Sequence, residues 1–418
     1  MEPHRAARSL LRALAIALLS GAAPASAFEP DLLAGSARAI CAAPPLLLPE
    51  LPGLRLLSAA NDQQRNDLLV FERSGGDRLQ VRRMVHAGRV RGVIVEHFTG
   101  DGRGVAIVHT DASCRILGGR RIVEEGLDRF YEDLDPELRP IGARIAINPP
   151  PPRGEPRPGV AVALIDSGVN YLLPEIAAHL AYGSDGRLVG LDLVDGDDRP
   201  FDLDQSRNAF FPRRHGTAVA SILAREAPAV RILPYRFDLE RARGLGRIVA
   251  HARAHGAKIV LVPLGNGSVE DWAEFREVAA ANPDLLFVVS AGNDARDIDR
   301  NPVYPAAFGL PNQLTVGSCT GDGRIAPDSN WGARTVDLFA PGEGVWITDA
   351  EGRRGAGFGT SFAAPRVAAL AARLLAREPG LDAAGLVAAV LARAEPMPPH
   401  PQGLVMSRRG WIADPAAD

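Results

Sequence analysis

Four residues of this chain combine the types and local settings that acyl-transfer chemistry needs. Asp166 ends the continuous apolar run Val160-Ala161-Val162-Ala163-Leu164-Ile165 and is followed by Ser167-Gly168. His215 opens Gly216-Thr217-Ala218-Val219-Ala220-Ser221-Ile222-Leu223, an apolar stretch that reads as a helix. Asn293 closes Leu286-Phe287-Val288-Val289-Ser290-Ala291-Gly292. Ser361 lies within Gly357-Phe358-Gly359-Thr360-Ser361-Phe362-Ala363-Ala364-Pro365, just before an Ala/Leu-rich run with strong helix propensity. A helix beginning at Ser361 surrounds the hydroxyl with backbone N–H groups that have no intrahelical partner, in the positive field of the helix start. That setting suits a nucleophile whose attack creates an oxyanion. A carboxylate and an imidazole are the partners such a hydroxyl requires. Each residue also has an ordinary alternative: Ser361 and His215 as helix caps, Asp166 as a turn residue, Asn293 in a left-handed turn. The complete set, in the chain order Asp, His, Ser, favours the chemical reading.

The elements that must hold these residues are legible from about Gly159 onward. Short apolar runs alternate with amphipathic helical patterns, the signature of a parallel sheet covered on both faces. After the Asp166 strand come Leu188 to Val194, the His215 helix, Val230 to Tyr235, a helix near Arg247 to His255, Ile259 to Val262, a helix near Val269 to Ala281, and the strand before Asn293. A last helix is expected over Ala383 to Ala394.

The Asp, His, Ser order is the one known from subtilisin, distinct from those of chymotrypsin and the α/β-hydrolases. On these strings, together with Tyr304-Pro305-Ala306, Ser329-Asn330-Trp331-Gly332 and Ala340-Pro341-Gly342, the chain resembles the subtilisin-like serine peptidases, the subtilases. The resemblance implies a three-layer α/β subtilisin-like fold with a mainly parallel sheet. It implies Asp166, His215 and Ser361 as the catalytic triad, Asn293 as an oxyanion-hole donor, and Leu264-Gly265-Asn266 as a substrate-binding segment that pairs with a peptide like an added strand. Pro263 stands where the family often has serine, and it offers a carbonyl but no N–H. Asn266 replaces a glycine and is expected to put a side chain near the cleft. Ala218 replaces a usual second histidine and Phe362 a frequent methionine; neither change removes a catalytic group.

The chain has 418 residues, 46% hydrophobic and 23% charged, with a net charge of −3. Its basic residues are scattered arginines, Lys258 being the one lysine, so a nucleic-acid role has no support. Residues 1–27 read as a secretory signal: Arg5, Arg8 and Arg12, an apolar centre from Ala13 to Leu19, then Ala25-Ser26-Ala27 before the expected cut. No other stretch approaches the roughly 18 apolar residues of a membrane span. Of three cysteines, Cys41 and Cys114 could pair, and Cys319 is expected as a small buried residue. The acidic loop carrying Asp195, Asp197, Asp198, Asp202 and Asp204 lacks EF-hand spacing, so calcium is considered without being assigned, and no metal site or cofactor is named.

Residues 28–148 read as a small antiparallel sheet over Leu68–Phe71, Leu79–Val85, Val93–Val95 and Val105–Val108, then a helix over Ile122 to Leu134 with Leu127, Phe130, Tyr131 and Leu134 on one face. A proline-rich linker, Asn148 to Pro158, should be extended. The resemblance implies a removable pro-segment here that acts as an intramolecular inhibitor, hence a zymogen. An attached accessory domain stays open beside it. The sequence thus points to a serine endopeptidase, secreted to the periplasm or beyond the cell and made as a precursor, acting on protein or peptide substrates. The rivals are a catalytically silent peptide-binding pseudoprotease and a narrow processing protease with an attached recognition domain.

Overall fold

The computed structural model describes residues 28–418 except 45–46, 63–65, 239–242, 400–401 and 418. The expected signal, residues 1–27, lies outside the described residues. The chain divides into two compact units. One runs up to Arg121 and includes Asp133–Ile141; the other comprises Ile122–Glu132 and Gly142–Asp418.

The first unit begins with α1 (Pro30–Ala42). Eight strands follow along the chain: β1 (Leu54–Asp62), β2 (Asn66–Arg73), β3 (Arg78–His86), β4 (Arg89–Phe98), β5 (Gly104–Thr110), β6 (Ile116–Glu125), β7 (Asp128–Leu134) and β8 (Pro140–Ala146), of which the β6–β7 tip and the end of β8 fall in the second unit. They neighbour one another in chain order, and β1 to β6 pair antiparallel. Alternating residues of β2 to β5 (Leu69, Phe71, Leu79, Val81, Val93, Val95, Ala106, Val108) join Leu33, Ala37 and Ile40 of α1 in one core. Cys41 and Cys114 form a disulfide, as the sequence allowed.

The helix expected over Ile122 to Leu134 is not formed. The segment is a hairpin, β6 and β7, turning at Gly126 and Leu127, where Gly126 has φ of 65°. The apolar spacing that mimics a helical face is overridden by the turn glycine and the β-branched Ile122-Val123.

In the second unit, β9 (Val160–Asp166) is followed by a one-turn helix α2 (Pro174–Ala177), the two-residue β10 (Leu191–Asp192), α3 (Gly216–Glu226), β11 (Val230–Arg236), α4 (Leu245–Ala254), β12 (Ala257–Val262), α5 (Ala273–Ala281), β13 (Leu286–Ser290), β14 (Gln313–Cys319), β15 (Leu338–Pro341), the antiparallel pair β16 (Glu343–Thr348) and β17 (Arg354–Phe358), α6 (Thr360–Arg377) and α7 (Ala383–Leu391). The strand expected over 188–194 shrinks to β10 because the acidic residues beyond Leu193 form a loop. Seven strands make a parallel sheet in the order β10-β11-β9-β12-β13-β14-β15. One face packs α3, α6 and α7 against Val162, Leu164, Leu261, Val288 and Val316; the other packs α4 and α5 against Val260, Val262, Phe287 and Val289. This is the three-layer α/β architecture expected. The chain leaves β9 toward β11 on one side and crosses to β12 on the other, so the carboxyl end of β9 is a topological switch point, where such sheets bind ligands.

Candidate active site

Asp166 is the last residue of β9 and is fully buried. Its Oδ1 accepts from the Ser167 N–H at 2.7 Å and from Ser167 Oγ at 3.2 Å. Position 216 must be glycine, because a Cβ there would lie 2.0 Å from the Gly168 carbonyl. That close approach carries the start of α3, and with it His215, onto the end of β9.

His215 is the residue before α3, and its side chain makes no capping bond. Instead Nδ1 lies 2.9 Å from each Asp166 oxygen, which sets Nδ1 as the protonated nitrogen and leaves Nε2 as the acceptor. The side chain is 32% exposed, open to a substrate on its other edge. Burial alone would depress the imidazolium, but the Asp166 carboxylate, by charge and hydrogen bond, and Asp202, by charge, outweigh it; the pKa lies above the ordinary histidine value.

Ser361 is the second residue of α6, and the N-cap is Gly359, with φ of 113°; the serine does not cap its own helix. Gly359 carries a conformation that an L side chain rarely adopts, so the sharp entry from β17 into α6 depends on it. Pro365 falls in the second helical turn instead of the first, so the usual hydrogen bond to the Ser361 carbonyl is lost. The helix tolerates this because Ala363, Ala364, Val367, Ala368, Ala369 and Leu370 are all buried within the core. The Ser361 hydroxyl donates to the Pro263 carbonyl at 3.1 Å, not to His215. Phe362 sets its ring 5.8 Å from the imidazole, forming a wall beside it.

Asn293 follows β13 in an exposed turn. Its Oδ1 accepts from Thr360 N at 2.9 Å and Thr360 Oγ1 at 3.0 Å, which fixes the amide orientation and leaves Nδ2 as a donor beside the start of α6. Buried Asn330 braces this turn, donating to the Ala291 carbonyl at 2.8 Å and accepting from Asp294 N at 3.0 Å.

Leu264 and Gly265 follow β12 beside Pro263. The Asn266 side chain is turned into its own loop, bonding Asp271 at 2.9 Å and the Ser268 N–H at 2.9 Å. Its main chain pairs with Tyr304 in both directions, at 3.0 and 2.8 Å. These bonds hold the Asn266 side chain against its own loop and engage its main-chain N–H and carbonyl with Tyr304. Pro263, Leu264 and Gly265 remain as the edge a peptide could pair with.

Sequence reasoning missed Asp202. This fully buried carboxylate accepts from Ser167 Oγ at 2.6 Å, the His215 N–H at 3.1 Å and the Thr217 N–H at 2.9 Å. Ser167 Oγ in turn accepts from the N–H groups of His215 and Gly216, so Asp202 and Ser167 together pin the backbone that carries the imidazole. Burial raises the Asp202 pKa, and the Asp166 charge adds to this, against the hydrogen bonds from Ser167 and Thr217. Asp202 looked like one member of an acidic run; only its burial distinguishes it. The rest of that run is engaged by arginines and main chain. Asp195 pairs with Arg129 and Arg236, Asp198 with Arg187, Asp204 with Arg213, and Asp197 takes the Arg199 N–H. Among the described residues, no group of three or more His, Cys, Asp or Glu is placed to hold a metal. Cys319 is buried, its thiol pushed up to about 12 by desolvation.

The chain is similar to a thermophilic serine proteinase of Bacillus sp. (strain AK1), at 32% identity over 231 residues, 52% of each chain. It is also similar to subtilisin-like protease 1 of Trichophyton rubrum, 31% identical over 229 residues, 53% of this chain and 42% of that protein. It thus spans about half the length of the curated relatives it matches. Among solved structures, a cold-adapted subtilisin-like serine proteinase aligns over 64% of this chain and 92% of its own, with a TM-score of 0.50 and 26% identity. The family model of the subtilases matches residues 157–406, and the chain belongs to that family.

Proposed function

We propose that this chain is an exported serine endopeptidase that hydrolyses peptide bonds through an acyl-enzyme. The observation that carries the proposal is the imidazole of His215 held by both Asp166 oxygens, with its other edge open beside the α6 start that presents Ser361. In this reading a substrate strand pairs with Leu264 and Gly265, and its N–H takes the Pro263 carbonyl. The Ser361 hydroxyl is displaced and turns about its χ1 bond toward His215 Nε2. Ser361 Oγ attacks the scissile carbonyl carbon while its proton passes to Nε2. The oxyanion takes hydrogen bonds from Asn293 Nδ2 and the Ser361 N–H. The proton then goes from Nε2 to the leaving nitrogen as the C–N bond breaks, and water repeats the sequence on the acyl-enzyme. Asp166 holds the tautomer and steadies the imidazolium.

No helix among the described residues is long and apolar enough to cross a membrane. Export rests on the signal read in residues 1–27, which makes the synthesised chain a precursor at least to that extent. The test is labelling by a fluorophosphonate probe and turnover of a generic protein substrate. The wild type should label at Ser361 and cleave; Ser361→Ala should do neither. A folded wild type that fails both would support the silent peptide-binding reading.

A further inference from the structure

The second unit is built from two stretches of chain, and the first of them is the tip of the β6–β7 hairpin, Ile122–Glu132. Tyr131 is 1% exposed and packs with Ile147 and Leu203, both buried, and with Ile122. Its hydroxyl donates to the Ala209 carbonyl at 2.8 Å and accepts from Gln205 Nε2 at 2.9 Å. Polar locks flank this apolar plug. Asp128 takes Arg199 Nη1 at 2.7 Å; Arg129 pairs with Asp195, which also holds the buried Arg236. The Arg129 carbonyl accepts from the Ile147 N–H at 2.8 Å. The surface that receives the hairpin is the loop Asp195–Ala209, and the same loop supplies Asp202 to the backbone of His215. Leu203, against which Tyr131 packs, is the next residue, and its own N–H is bonded to the Ser167 carbonyl at 2.8 Å.

We infer that the N-terminal region is a retained part of the working protein, fastened by the hairpin Ile122–Glu132 to the loop Asp195–Ala209, and not a pro-segment that leaves after cleavage. In its bearing on catalysis this rests on the proposed peptidase function. A segment built to depart must leave behind a surface that water can cover. Departure here would uncover Leu203 and take Asp128 from Arg199 and Arg129 from Asp195, beside the carboxylate that pins His215. The chain passes into the second unit at Ile122, out after Glu132 and back at Gly142, so a cut in the exposed stretch Glu155–Pro158 severs one connection and leaves the hairpin seated.

The experiment places a recognition sequence for a site-specific protease at Glu155–Pro158 of the full chain, in the Ser361→Ala background so that self-cleavage does not intrude. After complete cutting, the N-terminal fragment should co-elute with the C-terminal fragment in size-exclusion chromatography under native conditions. Combining Tyr131→Ala with Arg129→Ala should raise the free fragment at least about tenfold, and Tyr131→Phe, which keeps the ring and removes the hydroxyl, by less. Separation of the fragments without either hairpin substitution would overturn the inference. So would a mature, probe-reactive enzyme whose amino terminus lies beyond Glu132. Retention in the cut Ser361→Ala protein is read from size and mass alone, so that arm stands or falls whether or not Ser361 of the wild type reacts with a serine probe.

Discussion

Replacing Asp202 by asparagine isolates the least obvious part of the site. The exchange keeps the shape but removes the charge and turns one acceptor into a donor facing either Thr217 N–H or the Ser167 hydroxyl and His215 N–H. The Asp202 carboxylate sits on the His215 backbone N–H, close enough for its charge to act on the imidazole as well. The sign follows from the protonation state that catalysis needs. His215 must be neutral to accept the Ser361 proton, so kcat/KM rises with pH through its pKa in the free enzyme. The Asp202 charge raises that pKa. Removing it should move the acid limb to lower pH, while the misplaced donor loosens the His215 backbone and lowers the plateau about tenfold. The assay is kcat/KM from about pH 4 to pH 9 on one peptide substrate. Ser167→Ala serves as the control: it breaks the bridge between Asp202 and the His215 backbone but keeps the charge, so it should lower the plateau and leave the limb in place. An Asp202→Asn limb that does not move would mean that Asp202 is already protonated in the resting enzyme, and the electrostatic half of the argument would be refuted.

Two further outcomes follow from particular bonds. Asn293→Asp keeps the acceptor that Thr360 requires but loses the amide donor, so kcat should fall about 100-fold or more with KM near wild type, as when such a donor is lost in subtilisin; unchanged kcat would remove Asn293 from the oxyanion site. The Cys41–Cys114 disulfide closes a sequence separation of 73 residues, and the chain-entropy relation assigns such a loop about 4 kcal/mol. The double Cys→Ser variant should therefore lose about that much stability in the first unit, read by urea unfolding with a probe in that unit, while the transition of the second unit keeps its midpoint.

The positions legible from sequence are those whose signal is local. His215 and Ser361 are announced by strings in which each neighbour has a job: Gly216 lets α3 approach β9, Gly359 bends the chain into α6, and Thr360 aligns Asn293. The parallel sheet was legible because strands buried on both faces read as unbroken apolar runs. Local signals also misled. Leu127, Phe130, Tyr131 and Leu134 repeat at helical spacing, yet they lie in a hairpin, because a two-residue turn at Gly126-Leu127 weighs more than a four-residue coincidence. Strand β1 and helix α1 went unread for the converse reason: Leu54–Asp62 has neither clean alternation nor an apolar run, and α1 declares itself only where Leu33, Ala37 and Ile40 meet the sheet.

Asp202 and Tyr131 were invisible for a reason that bears on how the site works. Nothing adjacent to either marks it, since each acts across a long stretch of chain, Asp202 on His215 and Tyr131 on Leu203 and Ala209. Asp202 and Leu203, the residue on which Tyr131 packs, stand back to back on one loop. Asp202 faces inward to the Ser167 hydroxyl and the N–H groups of His215 and Thr217, while the neighbouring Leu203 side chain faces Tyr131. An imidazole that must stay aligned while it gains and loses a proton needs a backbone that does not shift with its charge. That backbone hangs on Asp202, and Asp202 is only as fixed as the loop on which the hairpin rests. The geometry therefore couples the N-terminal hairpin to the imidazole in three steps: Tyr131 to Leu203, Leu203 by the chain to Asp202, and Asp202 to His215, directly and in parallel through Ser167.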